Sequence, residues 1–136
     1  MGAYTSDTVK PLILVIEDDE PTRDALLAAL ETHGYHAIGT PDGAAAMKML
    51  ETDRPVAIVL DLYMPEMDGF EVMSALKSAA LNVPVIAISG GMPGRPGDLL
   101  PLALDFGAAA ALRKPFPIEE LDAAIRKVAP GLPRPR

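Results

Sequence analysis

A doubly wound α/β fold, with a five-stranded parallel sheet flanked by five helices, is what this chain predicts. Three observations carry the prediction. Five short apolar runs alternate with five stretches of helical periodicity along the 136 residues. The runs are near-continuous rather than alternating, as in parallel strands buried on both faces. Several of them end in charge or hydroxyl: Leu12–Asp19 closes on Glu17 and Asp18, Val56–Asp61 on Asp61, Val83–Ser89 on Ser89, and Ala111–Phe116 carries Lys114. Open parallel sheets bind ligands outside the carboxyl ends of their strands, so these groups converge on one sheet edge.

The elements follow in order. Residues 1–10 are polar and expected to be disordered. The first strand is Leu12–Glu17. Asp19 then serves as an N-cap, with Pro21 in the first helical turn, where no N–H is needed. Leu26, Leu27 and Leu30 give helix one its apolar stripe, and Gly34 ends it at C′. Strand two is Tyr35–Gly39. Asp42 and Gly43 open helix two, which carries Met47, Met49 and Leu50. Strand three is Val56–Leu60. Asp68 and Gly69 turn the chain into helix three, with Phe70, Val72, Met73 and Leu76. Strand four is Val85–Ile88. Residues 90–98, with four Gly and two Pro, form neither helix nor strand. Helix four is expected to start at Asp98 as N-cap, keep Pro101 in its first turn and end near Gly107. Strand five is Ala108–Leu112 and helix five Ile118–Val128, before a Pro-rich tail at 130–136. One domain, 11–129, accounts for the chain, with no internal repeat.

Composition narrows the function. Nearly half the residues are apolar but only 4% are aromatic, so the core is aliphatic. A net charge of −7 argues against a nucleic-acid surface, which needs clustered Lys and Arg. The chain has no Cys, so a disulfide frame and a thiolate metal site are excluded. No apolar run approaches the length of a membrane span, and the polar start lacks a signal-peptide core. A cytoplasmic location is the expectation.

The converging groups suit phosphoryl transfer to a carboxylate. A carboxylate attacks a phosphate poorly because like charges repel, and a divalent cation with a fixed ammonium cures that. Mg²⁺ takes oxygen ligands, usually one or two carboxylates. Glu17 and Asp18 supply them. Neighbouring strand side chains diverge, so Asp18 is expected to ligate directly and Glu17 through water. Asp61 would be both ligand and nucleophile, forming an acyl phosphate. Lys114 would pair with Asp61 or the phosphoryl oxygens, and Ser89 would hydrogen-bond the arriving phosphoryl group. Taken singly, each has a plainer reading: an acidic helix start, a turn aspartate, a loop lysine. Their joint placement at strand ends is what those readings leave unexplained, because clustered carboxylates repel.

With those residues in view, the chain resembles the receiver domain of two-component response regulators. The matching features are Glu17–Asp18, the run from Asp61 through Met64, Pro65 and Asp68 to Gly69, Ser89 after strand four, and Lys114-Pro115-Phe116 after strand five. Gly34-Tyr35, Asp42-Gly43 and Gly107-Ala108 also fall where the family has them. The resemblance covers roughly 11–129 and implies the flavodoxin-like receiver fold. It implies Asp61 as phosphoacceptor and Mg²⁺ held by Asp18, Asp61 and the backbone carbonyl of Tyr63, with Glu17 acting through water. It further implies Lys114 as the phosphate-contacting lysine, a cis Lys114–Pro115 bond, and Ser89 as the switch hydroxyl. The implied donor is a histidine kinase or histidine phosphotransfer protein. The implied output is protein–protein contact through the helix 4–strand 5–helix 5 face, with a homodimer open as a possibility and the downstream target unknown.

Two features depart from the family. Ala111 stands where an aromatic residue is usual, three before the lysine, so aromatic rotation cannot relay the signal. The loop after Ser89 is longer than usual and rich in Gly and Pro, which points to that loop and helix four as the carrier. The expected function is a stand-alone phosphorylation switch without enzymatic turnover beyond its own phosphorylation and autodephosphorylation. The alternative is a degenerate, phosphorylation-independent interaction module. A phosphohydrolase would carry a second Asp two residues after the nucleophile, where this chain has Tyr63. An FMN carrier fails because four acidic residues follow strand one, where its phosphate loop would lie.

Overall fold

The computed structural model describes residues 10–63, 69–91 and 94–132. The expected disorder of residues 1–9, the Met64–Asp68 part of the motif and the last residues of the tail lie outside them. Ten elements alternate: β1 (Leu12–Ile16), α1 (Glu20–Thr32), β2 (His36–Thr40), α2 (Gly43–Met49), β3 (Ala57–Asp61), α3 (Gly69–Ser78), β4 (Val85–Ser89), α4 (Leu100–Phe106), β5 (Ala110–Arg113) and α5 (Ile118–Val128). The strands form one parallel sheet in the order β2-β1-β3-β4-β5. The predicted architecture is therefore the observed one.

Strand alternation divides the core in two. Ile13, Val15, Ala57, Val59, Ile86, Ile88 and Leu112 meet Leu30 of α1 and Leu121 and Ile125 of α5. Leu14, Ile16, Ile58, Leu60, Val85 and Ala87 face the other way, onto Val72, Met73 and Leu76 of α3 and Leu100 and Ala103 of α4. Β3 and β4 are buried along their whole length, which is why they read as uninterrupted apolar runs.

The helix ends follow the sequence signals with one exception. Asp19 caps α1 by accepting from Thr22 N–H at 3.0 Å. At the other end the Gly34 N–H bonds Glu31 O and the Tyr35 N–H bonds Leu30 O, a Schellman closure. Asp42 caps α2 through Ala45 N–H at 2.7 Å. The exception is α4. Asp98 is not its N-cap; Leu99 holds that position without a side-chain cap. The Asp98 carboxylate is drawn instead to the Arg113 guanidinium, 2.7 Å away. Strand five also begins later than expected, at Ala110. Gly107 ends α4, and the Ala108 N–H returns to Ala103 O to close that helix, so Ala108 is part of a cap rather than a strand. Β2 starts one residue late for the same reason, since Tyr35 belongs to the closure of α1.

The strand order places the topological switch between β1 and β3. The chain leaves β1 towards β2 on one side while β3 lies on the other, opening a crevice at their carboxyl ends. Glu17, Asp18 and Asp61 stand at its rim.

Candidate functional site

Glu17 extends β1 by one residue, its N–H bonding Thr40 O at 3.1 Å. Its carbonyl accepts from Arg23 of α1 at 2.8 Å, and its Oε2 accepts from Asp19 N–H at 3.3 Å. Glu17 and Asp61 are almost wholly buried and Asp18 is the more exposed of the three. Each offers one carboxylate oxygen, and these oxygens lie within 4.8 Å of one another. The structure thus brings together the two acidic neighbours and the strand-three aspartate despite the divergence expected of adjacent strand positions, because the strand pairing stops at Glu17 and Asp18 lies beyond it.

Lys114 spans the cluster. Its Nζ lies 2.9 Å from Glu17 Oε1 and 3.6 Å from Asp61 Oδ2. The Lys114–Pro115 peptide bond is cis. Burial and the neighbouring Asp61 push the Glu17 carboxyl above its usual range, against the pull of Lys114. For Lys114, burial works against the charge, but hydrogen bonds and attraction from Glu17 and Asp61 outweigh it, so its pKa is raised. One ammonium therefore pairs with two buried carboxylates, and a third, Asp18, belongs to the same cluster. An all-oxygen donor set with excess negative charge fits a hard divalent cation such as Mg²⁺. Glu17, Asp18 and Asp61 are the residues that can hold it.

Ser89 ends β4 with its hydroxyl buried and without a hydrogen-bond partner. A buried, unpaired hydroxyl is costly, and this one lies at the carboxyl edge of β4, one residue beyond Ile88, the register partner of Asp61. Tyr63 follows Asp61 by two residues. Its N–H bonds Asp61 Oδ1 at 3.2 Å, and its half-exposed side chain reaches over to donate its hydroxyl to Gly97 O at 2.9 Å.

Sequence reasoning misses Arg23 and Arg113, and gives Asp98 only as a helix cap and Gly69 only as a turn and motif residue. Arg23 anchors the Glu17 main chain, its stem running past Gly39 of β2, where a Cβ would come within 3.1 Å of it. Gly39 in a strand was the one available signal. Arg113, at the end of β5, pairs with Asp98 in the loop before α4, and nothing local couples them. Gly69 packs directly on Asp61 and Leu62: a Cβ there would lie 2.8 Å from Leu62 Cα and 3.1 Å from Asp61 O.

Comparison with known proteins gives the family. The family model of the response regulator receiver domain matches residues 13–126. Response regulator MprA of Mycobacterium ulcerans is 39% identical over 116 residues, covering 84% of this chain and 48% of that protein. The chain thus spans about half the length of the curated relatives it matches. Among solved structures, the receiver domain of the Francisella response regulator 1452 aligns with a TM-score of 0.78 at 28% identity, over 88% of this chain and 97% of that one. FixJ-N aligns with a TM-score of 0.81 at 25% identity, over 93% and 98%. The chain belongs to the response regulator receiver domain family of two-component signalling, whose general function is a phosphorylation switch. No described helix is long and apolar enough to cross a membrane.

Proposed function

We propose that this domain accepts a phosphoryl group on Asp61 from a histidine kinase or histidine phosphotransfer protein, in a Mg²⁺-dependent reaction, and signals by protein–protein contact in the cytoplasm. The observation that carries this reading is the convergence of Asp61, Lys114, Glu17 and Asp18 at the switch point of the sheet. A carboxylate oxygen of Asp61 attacks phosphorus, the N–P bond of the donor phosphohistidine breaks, and the imidazole leaves with the bonding pair. Mg²⁺, held by Asp18 and Asp61 with the Tyr63 carbonyl and with Glu17 through water, would neutralise charge on the transferring group. Lys114 is already 3.6 Å from Asp61 Oδ2 and needs little movement to pair with the new phosphoryl oxygens. The Ser89 hydroxyl, unpaired in the free protein, gains its partner there. Hydrolysis of the acyl phosphate by water restores the carboxylate.

An apolar groove of about 490 Å³ between α1 and the β5–α5 connection runs up to Lys114, lined by Pro21, Ala25, Leu26, Pro115, Phe116 and Ile118. It offers a donor protein an apolar seat next to the acceptor. The strongly negative surface favours protein partners over nucleic acid for this domain. The second reading, an interaction module independent of phosphorylation, is favoured by Ala111 alone.

Intact mass after incubation with a small phosphodonor and Mg²⁺ separates the two. One added phosphoryl group, dependent on Mg²⁺ and absent from Asp61→Asn, is the expected result. No adduct under any condition would hand the case to the interaction module.

A further inference from the structure

Arg113 occupies a position that the absent aromatic makes significant. On β5, Ala110 and Leu112 face α1 and α5, while Ala111 packs towards α3 and α4. Arg113, two residues on, shares the face of Ala111. Its Nη1 donates to Gly91 O at 3.0 Å and to Asp98 Oδ1 at 2.7 Å. The Asp98 side chain is only 5% exposed, and its Oδ2 also accepts from Gly94 N–H at 3.0 Å. Gly91 and Gly97 come so close that a Cβ on Gly91 would lie 2.7 Å from Gly97 O. That same carbonyl takes the Tyr63 hydroxyl. Gly91, Gly97 and Asp98 are therefore tied to the end of β5, just before Lys114, and to the residue two beyond Asp61. The opposite end of α4 is fixed separately: Phe106 meets Phe70 edge to face, and its carbonyl accepts from Lys77 Nζ at 2.7 Å.

We propose that Arg113, Asp98 and Tyr63 form a latch that positions Ser89 in the free protein and carries phosphorylation of Asp61 into α4, in place of the aromatic residue that Ala111 replaces. The proposal rests on the phosphorylation reading of Asp61. Ser89 pairs with Arg113 in the ladder, and its carbonyl accepts from Lys114 N–H at 2.8 Å. Once Asp61 carries a phosphoryl group, Ser89 turns its hydroxyl to it. Gly91, two residues on, follows and withdraws its carbonyl from Arg113. Gly91 is packed against Gly97 O and Asp98 Cα, so its movement displaces Asp98 from the Arg113 guanidinium and releases the first turn of α4 with it. Tyr63 loses Gly97 in the same movement. Α4 then swings about its Phe106 anchor, and the exposed Leu102 and Leu104 are carried to a new position.

The test is amide hydrogen exchange on the native chain, Arg113→Ala, Asp98→Asn and Tyr63→Phe, each free and after treatment with a small phosphodonor and Mg²⁺, with intact mass recorded on every sample. In the native protein, phosphorylation is expected to speed exchange over residues 94–106 about tenfold, leaving the strands unchanged. Free Arg113→Ala should already exchange at the faster rate and gain less than about twofold on phosphorylation. Tyr63→Phe keeps the ring and loses one hydrogen bond, so it preserves the fold if Arg113→Ala does not. It should show a smaller rise in the same segment of the free protein. An adduct on the native chain with unchanged or slower exchange over 94–106 overturns the latch while leaving Asp61 as acceptor. So does a free Arg113→Ala that exchanges as the native chain does. Failure of the native chain to form an adduct overturns the acceptor reading and the latch with it.

Discussion

Asp98 was expected to cap a helix and instead carries a charge pair, and its titration follows from that. The Arg113 hydrogen bond, then the Gly94 N–H, holds its carboxyl below the usual carboxylate range. A depressed native pKa stabilises the fold above the ordinary carboxylate pKa, and that contribution is lost as pH falls through the native value. Asp98→Asn should therefore flatten the acid limb of a stability–pH profile and leave its shape above neutrality unchanged, as read by urea midpoints across pH. Gly69 gives a second prediction. A methyl placed 2.8 Å from Leu62 Cα and Cδ2 must displace the chain just after Asp61, so Gly69→Ala should cost roughly 1–3 kcal/mol in urea unfolding. Both residues show where sequence reading stops. Glu17, Asp18, Asp61, Ser89 and Lys114 were each visible because a strand end announces its own last residue. Arg113–Asp98 and Tyr63–Gly97 join positions 15 and 34 residues apart, and no local pattern encodes such a meeting.

Among the elements, the strands were the most legible and their starts the least. A buried parallel strand is marked by its apolar run, but the run does not say which apolar residue belongs to the preceding cap. Tyr35 and Ala108 both fell on the wrong side of that line, each donating its N–H back to the helix before it. Helix starts were marked more clearly where a short acidic side chain precedes the periodic stretch. Α2 is only seven residues long, below the length that sustains a helix alone, and its Asp42 cap matters accordingly. Asp42→Ala is expected to cost about 1 kcal/mol and to raise amide exchange selectively over residues 43–50. Α4 is equally short and has no side-chain cap, which is consistent with a helix whose start is held from outside, by a loop and a strand.

At the scale of the whole molecule, folding gathers charge that it does not itself neutralise. Two buried carboxylates and a third nearby share one lysine, a cluster that exists only in the folded chain. A cation that binds there stabilises the native state by mass action. With free Mg²⁺ at ten times its Kd, unfolding should become harder by about 1.4 kcal/mol. The gain should vanish in Asp18→Asn, read as the difference in thermal midpoint with and without Mg²⁺. An equal gain in that variant would place the cation elsewhere.

The sheet that builds the site also divides it. Alternation puts Glu17, Asp61 and Lys114 on the side of α1 and α5, and Ser89 and Arg113 on the side of α4. The sheet is thus a wall with traffic on both sides, and under the proposed function Asp61, at its carboxyl edge, is where the two sides meet. Under the proposed function, the groove beside α1 and α5 receives the donor, while Arg113, Asp98 and α4 carry the output on the other face. On that reading, substitutions along one face of the wall change who delivers the message and leave the residues that report it untouched.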